Sequence, residues 1–96
     1  MLALGQVVTT TSIANAMSTN LEFRLFILES IQKHLKHDFG TICKKDHDAN
    51  VLAIQDGGRV FSLYLIPEEL GINQKKIYVN TEADRSHTIA FGPHEH

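Results

Sequence analysis

Two histidines and an aspartate are clustered where a long helix is predicted to end. His37 and Asp38 follow His34 by three and four positions, a spacing that places all three side chains on one helical face. Imidazole and carboxylate groups at this spacing can bind zinc or iron, with Cys43 or His47 as a further ligand. The sequence contains no H-E-x-x-H or paired C-x-x-C signature. We therefore favour the simpler interpretation, a basic helix end with two solvent-facing histidines.

A second polar pair, Asp46 and Asn50, lies at the start of the next predicted helix. An aspartate at this position is predicted to cap the helix. Asn50, one turn later, is either a surface residue or a side chain that holds a neighbouring loop through two hydrogen bonds. Because capping explains the aspartate fully, we favour a structural role for the pair.

The third polar segment is the stretch TEADRSHT at 81–88, which reads as a hairpin turn. Asp84 and Ser86 are ordinary turn residues. Arg85, close to two acidic residues, predicts an exposed ion pair worth less than about 1 kcal/mol. In the alternative, its planar guanidinium binds an anion or a partner through paired hydrogen bonds. Turn chemistry favours the structural interpretation.

Other catalytic patterns are absent from the sequence. There is no G-x-S-x-G, no G-x-x-x-x-G-K-[ST] and no G-x-G-x-x-G. Cys43 with His37 or His47 would make a thiolate–imidazole pair, although a single cysteine is more often a small buried hydrophobe. The sequence alone therefore specifies no reaction, and we expect no cofactor.

Composition limits the partners and the compartment. The 96 residues predict one domain, and 43% apolar residues with a net charge of −2 predict a folded chain. The only basic patch combines Lys33, Lys36, Lys44 and Lys45 with neighbouring histidines, too little for strong non-specific nucleic-acid binding. One cysteine, no apolar run of ~20 residues and no charged leader indicate a cytoplasmic protein without membrane contact.

Hydrophobic patterning predicts the elements that must position these residues. A strand at 5–10 and a short helix at 12–17 precede a helix at 21–37, with Thr19 and Glu22 as a capping box and Gly40 as its stop. The helical period of its apolar residues predicts a core-facing stripe of Leu21, Leu25, Leu28, Ile31 and Leu35.

A second helix is predicted at 46–56, with a narrow buried stripe of Ala49, Leu52 and Ala53 and an end at Gly57. Alternation predicts strands at 59–66, 76–82 and 87–91, with Phe61, Leu63 and Leu65 sharing the apolar face of the first. Short links make an antiparallel meander the simplest topology. The expected fold is α+β: a three- to four-stranded antiparallel sheet covered on one face by the long amphipathic helix and the shorter one, with the first strand at an edge.

The order of these segments resembles a family of small bacterial proteins labelled plasmid-related and found on plasmids and other mobile elements. The matching stretches are 5–10, 34–40, 46–50, 58–64 and 81–88, and TEADRS is the most specific of them. The chain has His-Asp-Phe-Gly at 37–40 where the family pattern gives Gly-Asp-Trp-Gly, a longer loop at 67–75, and a different ending at 92–96. The family has no established activity. The resemblance implies the fold and a mobile-element context, and it singles out His34, Asp38, Gly40, Asp46, Asn50, Asp84, Arg85 and Ser86.

Three functional hypotheses follow. The favoured one is a non-enzymatic accessory protein of a mobile element that binds a macromolecule, preferably a protein, through the helix-end loop and the last hairpin. The residues proposed for that surface are His34, Asp38, Asp46, Asn50, Asp84, Arg85 and Ser86. The second is a small metal-dependent or acid–base enzyme, with His34, Asp38 and Asp46 as ligands or bases and Arg85 holding an anion. The third is a nucleic-acid-binding module that uses the four lysines of the basic patch.

Overall fold

The computed structural model describes residues 1–93 and shows an α+β fold. Residues 94–96, which belong to the ending that departs from the family pattern, lie outside the described part. In chain order the elements are β1 Gln6–Thr9, α1 Thr11–Thr19, α2 Leu21–Leu35, α3 Lys44–Asp56, β2 Val60–Leu65, a 3-10 turn Glu68–Leu70, β3 Lys76–Thr81 and β4 His87–Phe91.

The strands of residues 1–93 form one sheet in the order β1-β4-β3-β2. The predicted meander is confirmed, because β2, β3 and β4 pair antiparallel in succession. The prediction that the whole sheet is antiparallel is wrong, since β1 pairs with β4 in parallel, with Gln6 opposite His87. A parallel pair requires a long crossover rather than a hairpin, and the three helices between β1 and β2 make that crossover possible.

Helix α2 buries a different face from the predicted one. Phe23, Ile27, Ser30 and His34 are its buried residues, whereas Leu21, Leu25 and Leu28 are 62%, 55% and 50% exposed. Both stripes have helical spacing, so periodicity alone does not distinguish them. The inward stripe presents larger apolar groups in its first turns and two polar groups in its last, and the polar groups match polar residues of the sheet.

The ends of α2 also differ from the prediction. Asn20, not Thr19, is the N-cap, with its side-chain Oδ1 3.0 Å from the Phe23 amide. At the other end His37 adopts a left-handed φ of 68°. The His37 amide donates to the His34 carbonyl and the Asp38 amide to the Lys33 carbonyl, a Schellman ending that stops the helix before Gly40.

Gly40 instead brings the following loop onto the free edge of β2. The Leu63 amide donates to the Phe39 carbonyl at 3.1 Å, and the Thr41 amide donates to the Leu63 carbonyl at 2.8 Å. At Gly40, φ is +75° and a Cβ would overlap the Leu63 carbonyl oxygen. Only glycine fits this approach.

Helix α3 begins two residues before Asp46, which is therefore not its cap. Cys43 occupies the N-cap position, without a side-chain hydrogen bond to the helix, and Asp46 lies in the first turn. Ala49 and Leu52 are exposed, and the buried residue of this helix is Asn50. The predicted end is confirmed, with Gly57 as C-cap at φ 81°.

Two clusters of buried side chains hold the layers together. The larger packs Ile13 of α1 and Phe23 and Ile27 of α2 against Ile77 and Val79 of β3. The smaller is formed by Leu2, Phe39 and Val60, with Ala53 and Ile54 of α3 against it. The cover of the sheet is therefore α2 with α1, and not α2 with the second predicted helix, because α3 packs beside the β2 end. Within residues 1–93, every helix is too short or too polar to cross a bilayer.

Candidate functional site

His34 is fully buried between α2 and the sheet. Its Nδ1 lies 2.5 Å from Ser62 Oγ and its Nε2 lies 2.9 Å from Thr81 Oγ1. The interpretation of His34 as solvent-facing is wrong. Both ring nitrogens are occupied by hydroxyl groups of β2 and β3, which leaves neither available to a metal ion.

The hydrogen bonds continue from His34 across the sheet and fix the imidazole tautomer. Thr88 Oγ1 donates to the Leu4 carbonyl at 2.7 Å, so in its 2.7 Å contact with Thr81 it accepts the Thr81 proton. Thr81 can then only accept at His34 Nε2, which must carry the hydrogen. Nδ1 of the neutral ring consequently accepts from Ser62, and every donor in the chain has one acceptor.

Burial shifts the pKa of both His34 and Tyr64 away from its ordinary value. Burial, followed by the nearby His37, lowers the pKa of His34 to about 4, because an imidazolium loses its hydration inside the protein. Burial likewise raises the pKa of Tyr64 to about 12. The Tyr64 hydroxyl donates to the Asp38 carbonyl at 2.6 Å. Both groups are therefore neutral at pH 7 and serve as fixed hydrogen-bonding groups.

Asp38, Asp84 and Ser86 shape the two polar turns. An Asp38 carboxylate oxygen accepts from the Gly40 amide at 3.2 Å. An Asp84 carboxylate oxygen accepts from the Ser86 amide at 2.9 Å. The Ser86 hydroxyl and amide lower the pKa of Asp84. These are side-chain-to-backbone bonds typical of turns, as the turn interpretation of 81–88 predicts.

Asn50 clamps the free edge of β2 from α3. Its Nδ2 donates to the Phe61 carbonyl at 2.7 Å and its Oδ1 accepts from the Phe61 amide at 3.0 Å. The side chain thus takes the place of a neighbouring strand at this position. The interpretation of Asn50 as a bidentate clamp is the one that the geometry matches.

Replacing Asn50 should destabilise the protein through this clamp. Asn50→Ala leaves the Phe61 amide and carbonyl unpaired, and the free energy of unfolding should fall by about 2 to 3 kcal/mol. Asn50→Asp keeps the acceptor but sets an oxygen against the Phe61 carbonyl, so it should cost a similar amount. Urea denaturation followed by circular dichroism measures both. Asp46→Ala on the exposed first turn of α3 is the control, and equal effects of the two alanine variants would contradict the clamp.

Arg85 uses its guanidinium to join two turns. It lies in the hairpin turn at φ 61°. Its Nη1 donates to the carbonyls of Gly58 at 2.6 Å and Glu82 at 3.0 Å, and its Nη2 donates to the Ala53 carbonyl at 3.2 Å. These hydrogen bonds attach the hairpin turn to the end of α3. None of them reaches the segment 38–50. The exposed ion pair predicted for Arg85 is replaced by a set of carbonyl acceptors.

The predicted site residues do not share one set of contacts. His34 faces Ser62 and Thr81 in the core, whereas Asp46 is exposed on α3. In residues 1–93 no three His, Cys, Asp or Glu side chains are grouped closely enough to hold a metal ion. Exposed His37 and His47 both contact the Phe39 ring, with ring centroids 6.1 and 5.8 Å from it. Two imidazoles alone are an incomplete zinc site.

The sheet face opposite α1 and α2 carries a row of aromatic side chains that sequence reasoning did not assign to a site. The Phe61 and Tyr78 rings are 5.4 Å apart, and the Tyr78 and Phe91 rings are also 5.4 Å apart. The Lys76 ammonium lies 5.7 Å from the Tyr78 ring centre. We call this side of the sheet the open sheet face. It contains a hollow of about 560 Å³, which is lined by Arg59, Phe61, Tyr78, Asn80, Glu82, Ile89 and Phe91.

The open sheet face does not follow from the sequence pattern, because β2 turns the opposite set of side chains inward from the set that the pattern predicts. The sequence predicted Phe61, Leu63 and Leu65 as the apolar face of β2, but Val60, Ser62 and Tyr64 are buried instead. Ser62 lies inside, where its hydroxyl forms a hydrogen bond with His34. In β3 the alternation of apolar and polar residues predicts that Ile77 and Val79 point inward, and they do face the core, so Tyr78 faces outward.

A small charged group lies at one end of the open sheet face. Arg59 Nε is 3.5 Å from Glu82 Oε2, and His87 Nε2 is 4.0 Å from Glu82 Oε1. The carboxylate is half-buried, while Arg59 is largely exposed. This arrangement can recognise a charged or hydrogen-bonding group of a ligand beside the aromatic row.

Comparison with protein-family models, curated proteins and solved structures finds no match to this chain.

Proposed function

We propose that this protein is a non-enzymatic binding module that takes a protein partner on the open sheet face. The observation that carries the proposal is the Phe61–Tyr78 ring pair beside Arg59 and Glu82, around one hollow. Tyrosine and arginine, together with tryptophan, are enriched among the residues that dominate protein–protein binding energy, and these residues cluster in well-packed pockets from which water is excluded.

Electrostatics favour a protein over a nucleic acid as the partner. Glu82 lines the hollow, and the chain carries a net charge of −2. A phosphate backbone would meet this carboxylate without the field of cations that counterion release requires. A protein surface with an apolar side chain and mixed charges matches the same face. The resemblance of the sequence to plasmid-related proteins adds a mobile-element context to this proposal.

The internal contacts of the motif residues favour the open sheet face over the surface suggested by sequence. His34, Asn50 and Arg85 direct their polar atoms at groups of the chain itself. A partner would have to break those bonds before it could use them. Phe61 and Tyr78 line the hollow with ring surfaces, which a partner can contact without breaking those hydrogen bonds.

Site-specific photo-cross-linking in the producing cells tests this proposal. Asn80 is the insertion point for p-benzoylphenylalanine because it pairs across the sheet with both Phe61 and Ile89 and faces outward. We expect a discrete protein adduct from position 80. The identified partner, once purified, should bind Phe61→Ala and Tyr78→Ala variants about 30-fold or more weakly.

Position 52 on α3 supplies the matched control, because Leu52 is exposed on a different face. The same photoreactive residue there should give no such adduct, and Leu52→Ala should bind the partner normally. The proposal would be overturned if position 80 gave no protein adduct or gave the same adducts as position 52. An adduct that nuclease digestion removes would also overturn it.

A further inference from the structure

The strongest apolar stripe in the sequence lies on the outside of the fold. Leu21, Leu25 and Leu28 of α2 fall at helical spacing and are each at least half exposed. They occupy the side of the helix opposite Phe23, Ile27 and His34, which are buried against the sheet. The half-buried Leu35 continues the line two turns further on. We call Leu21, Leu25, Leu28 and Leu35 the outer stripe.

Charged residues along one side of the outer stripe change sign with position. Glu22 and Glu29 precede Lys33 and Lys36, and all four are exposed. At 100° per residue these four side chains lie on the same flank of the helix. Glu22 makes that flank acidic at the start of α2 and Lys33 and Lys36 make it basic at the end, while Glu29, near the middle, lies 3.7 Å from Lys33 of its own chain. An antiparallel copy of the helix would present the reverse order to it.

We propose that the outer stripe is the interface of an antiparallel homodimer, in which α2 packs against α2 of a second copy around a two-fold axis at Leu28. Leu28 then meets Leu28 of the second copy, and Leu21 meets Leu35. Glu22 of each chain approaches the Lys33–Lys36 end of the other. A two-fold interface must be complementary to itself. The pairing of Glu22 with Lys36 meets that condition at both ends of the helix, while Glu29, one residue past the axis, keeps its ion pair with Lys33 of its own chain.

The proposed dimer does not depend on the proposed protein-binding function. The buried side of α2 faces the sheet, so the outer stripe and the open sheet face point in opposite directions. Dimerisation through α2 would leave both open sheet faces accessible. Variants of the outer stripe should therefore abolish dimers while each monomer keeps its cross-link from position 80.

Sedimentation velocity of the full chain over a range of concentrations measures the assembly. We expect dimers in the wild type, and we expect Leu28→Glu to raise the dimer dissociation constant about 30-fold or more, because it sets two carboxylates against each other at the axis. Glutamate suits an exposed helical position, so circular dichroism should show an unchanged fold. Leu52→Glu, at the exposed leucine of α3, should dimerise like the wild type.

Cysteine cross-linking tests the antiparallel order, starting from a Cys43→Ser background. Leu28→Cys should form a disulfide-linked dimer on oxidation, because only a residue at the axis meets its own copy. Leu21→Cys alone should not, whereas Leu21→Cys with Leu35→Cys should. A wild type that stays monomeric, a dimer unaffected by Leu28→Glu, or self-cross-linking of Leu21→Cys would each overturn the proposal.

Discussion

Between pH 7 and pH 4 the protein should lose about 3 kcal/mol of its free energy of unfolding through His34 alone. The pKa of this imidazole is lowered from 6.5 to about 4 in the folded state, and each pH unit of difference is worth about 1.4 kcal/mol. Between these two values the unfolded chain binds a proton at His34 and the folded chain does not. Stability from this group is therefore complete above pH 6.5 and is lost as the pH falls towards 4.

His34→Gln isolates this effect because glutamine keeps the hydrogen bonds and does not titrate. Its Oε1 can accept from Ser62 and its Nε2 can donate to Thr81, the roles that the imidazole has in the neutral tautomer. Urea denaturation at several pH values should show a smaller decline between pH 6.5 and 4 for this variant than for the wild type. Carboxylates that titrate in the same range cancel in the difference.

His37→Asn is the matched control, since asparagine tolerates the left-handed conformation of residue 37. It removes an exposed imidazole and should keep most of the wild-type decline. Because His37 is the second cause of the lowered pKa of His34, the midpoint of the decline should move slightly upward. Equal pH dependence of the wild type and His34→Gln would show that His34 is not buried as the neutral base.

His34 also shows where prediction from the sequence ends. Local signals predict the meander, because turn residues and alternation act over a few positions. The partners of His34 are Ser62 and Thr81, which are 28 and 47 residues away. A histidine between lysines at a helix end has the local pattern of a surface residue, and nothing nearby indicates those hydroxyls. The buried faces of α2 and β2 were predicted incorrectly for the same reason, because these contacts between distant residues are not visible in the local sequence.

Asn50 and Arg85 show a milder form of the same limit. The chemistry of each side chain predicts that an amide can form two hydrogen bonds and that a guanidinium can form several. Their acceptors, at Phe61 and Gly58, are brought near by the packing of α3 against the end of β2. The kind of interaction is therefore predictable from the sequence, whereas the partner is not.

Arg85→Ala should lower the free energy of unfolding by about 3 kcal/mol. The substitution removes charged donors from the carbonyls of Ala53, Gly58 and Glu82. A hydrogen bond to a charged group contributes about 1.5 to 3 kcal/mol net, and water that reaches the carbonyls freed by the substitution offsets part of the summed loss. Arg85→Lys should cost nearly as much, because one ammonium cannot reproduce the fork that reaches Ala53 and Gly58 together. Thermal and urea denaturation of the purified variants measure both effects.

Arg85→Gly separates the hydrogen bonds from the backbone strain. Residue 85 has φ 61°, which glycine adopts freely and alanine does not. The glycine variant should therefore be about 1 kcal/mol more stable than the alanine variant while remaining less stable than the wild type. An alanine variant within about 0.5 kcal/mol of the wild type would contradict the role of the guanidinium, since that is the range of neutral surface changes.

Arg59→Ala completes the comparison by testing the other arginine near Glu82. Arg59 is largely exposed, and within residues 1–93 its one salt bridge is with Glu82. Its removal should therefore change the free energy of unfolding by less than about 1 kcal/mol. If partner binding falls in Arg59→Ala at unchanged stability, the arginine contacts the partner directly. If binding falls in Arg85→Ala, the loss should follow the fraction unfolded, because that guanidinium is already bound to carbonyls of its own chain.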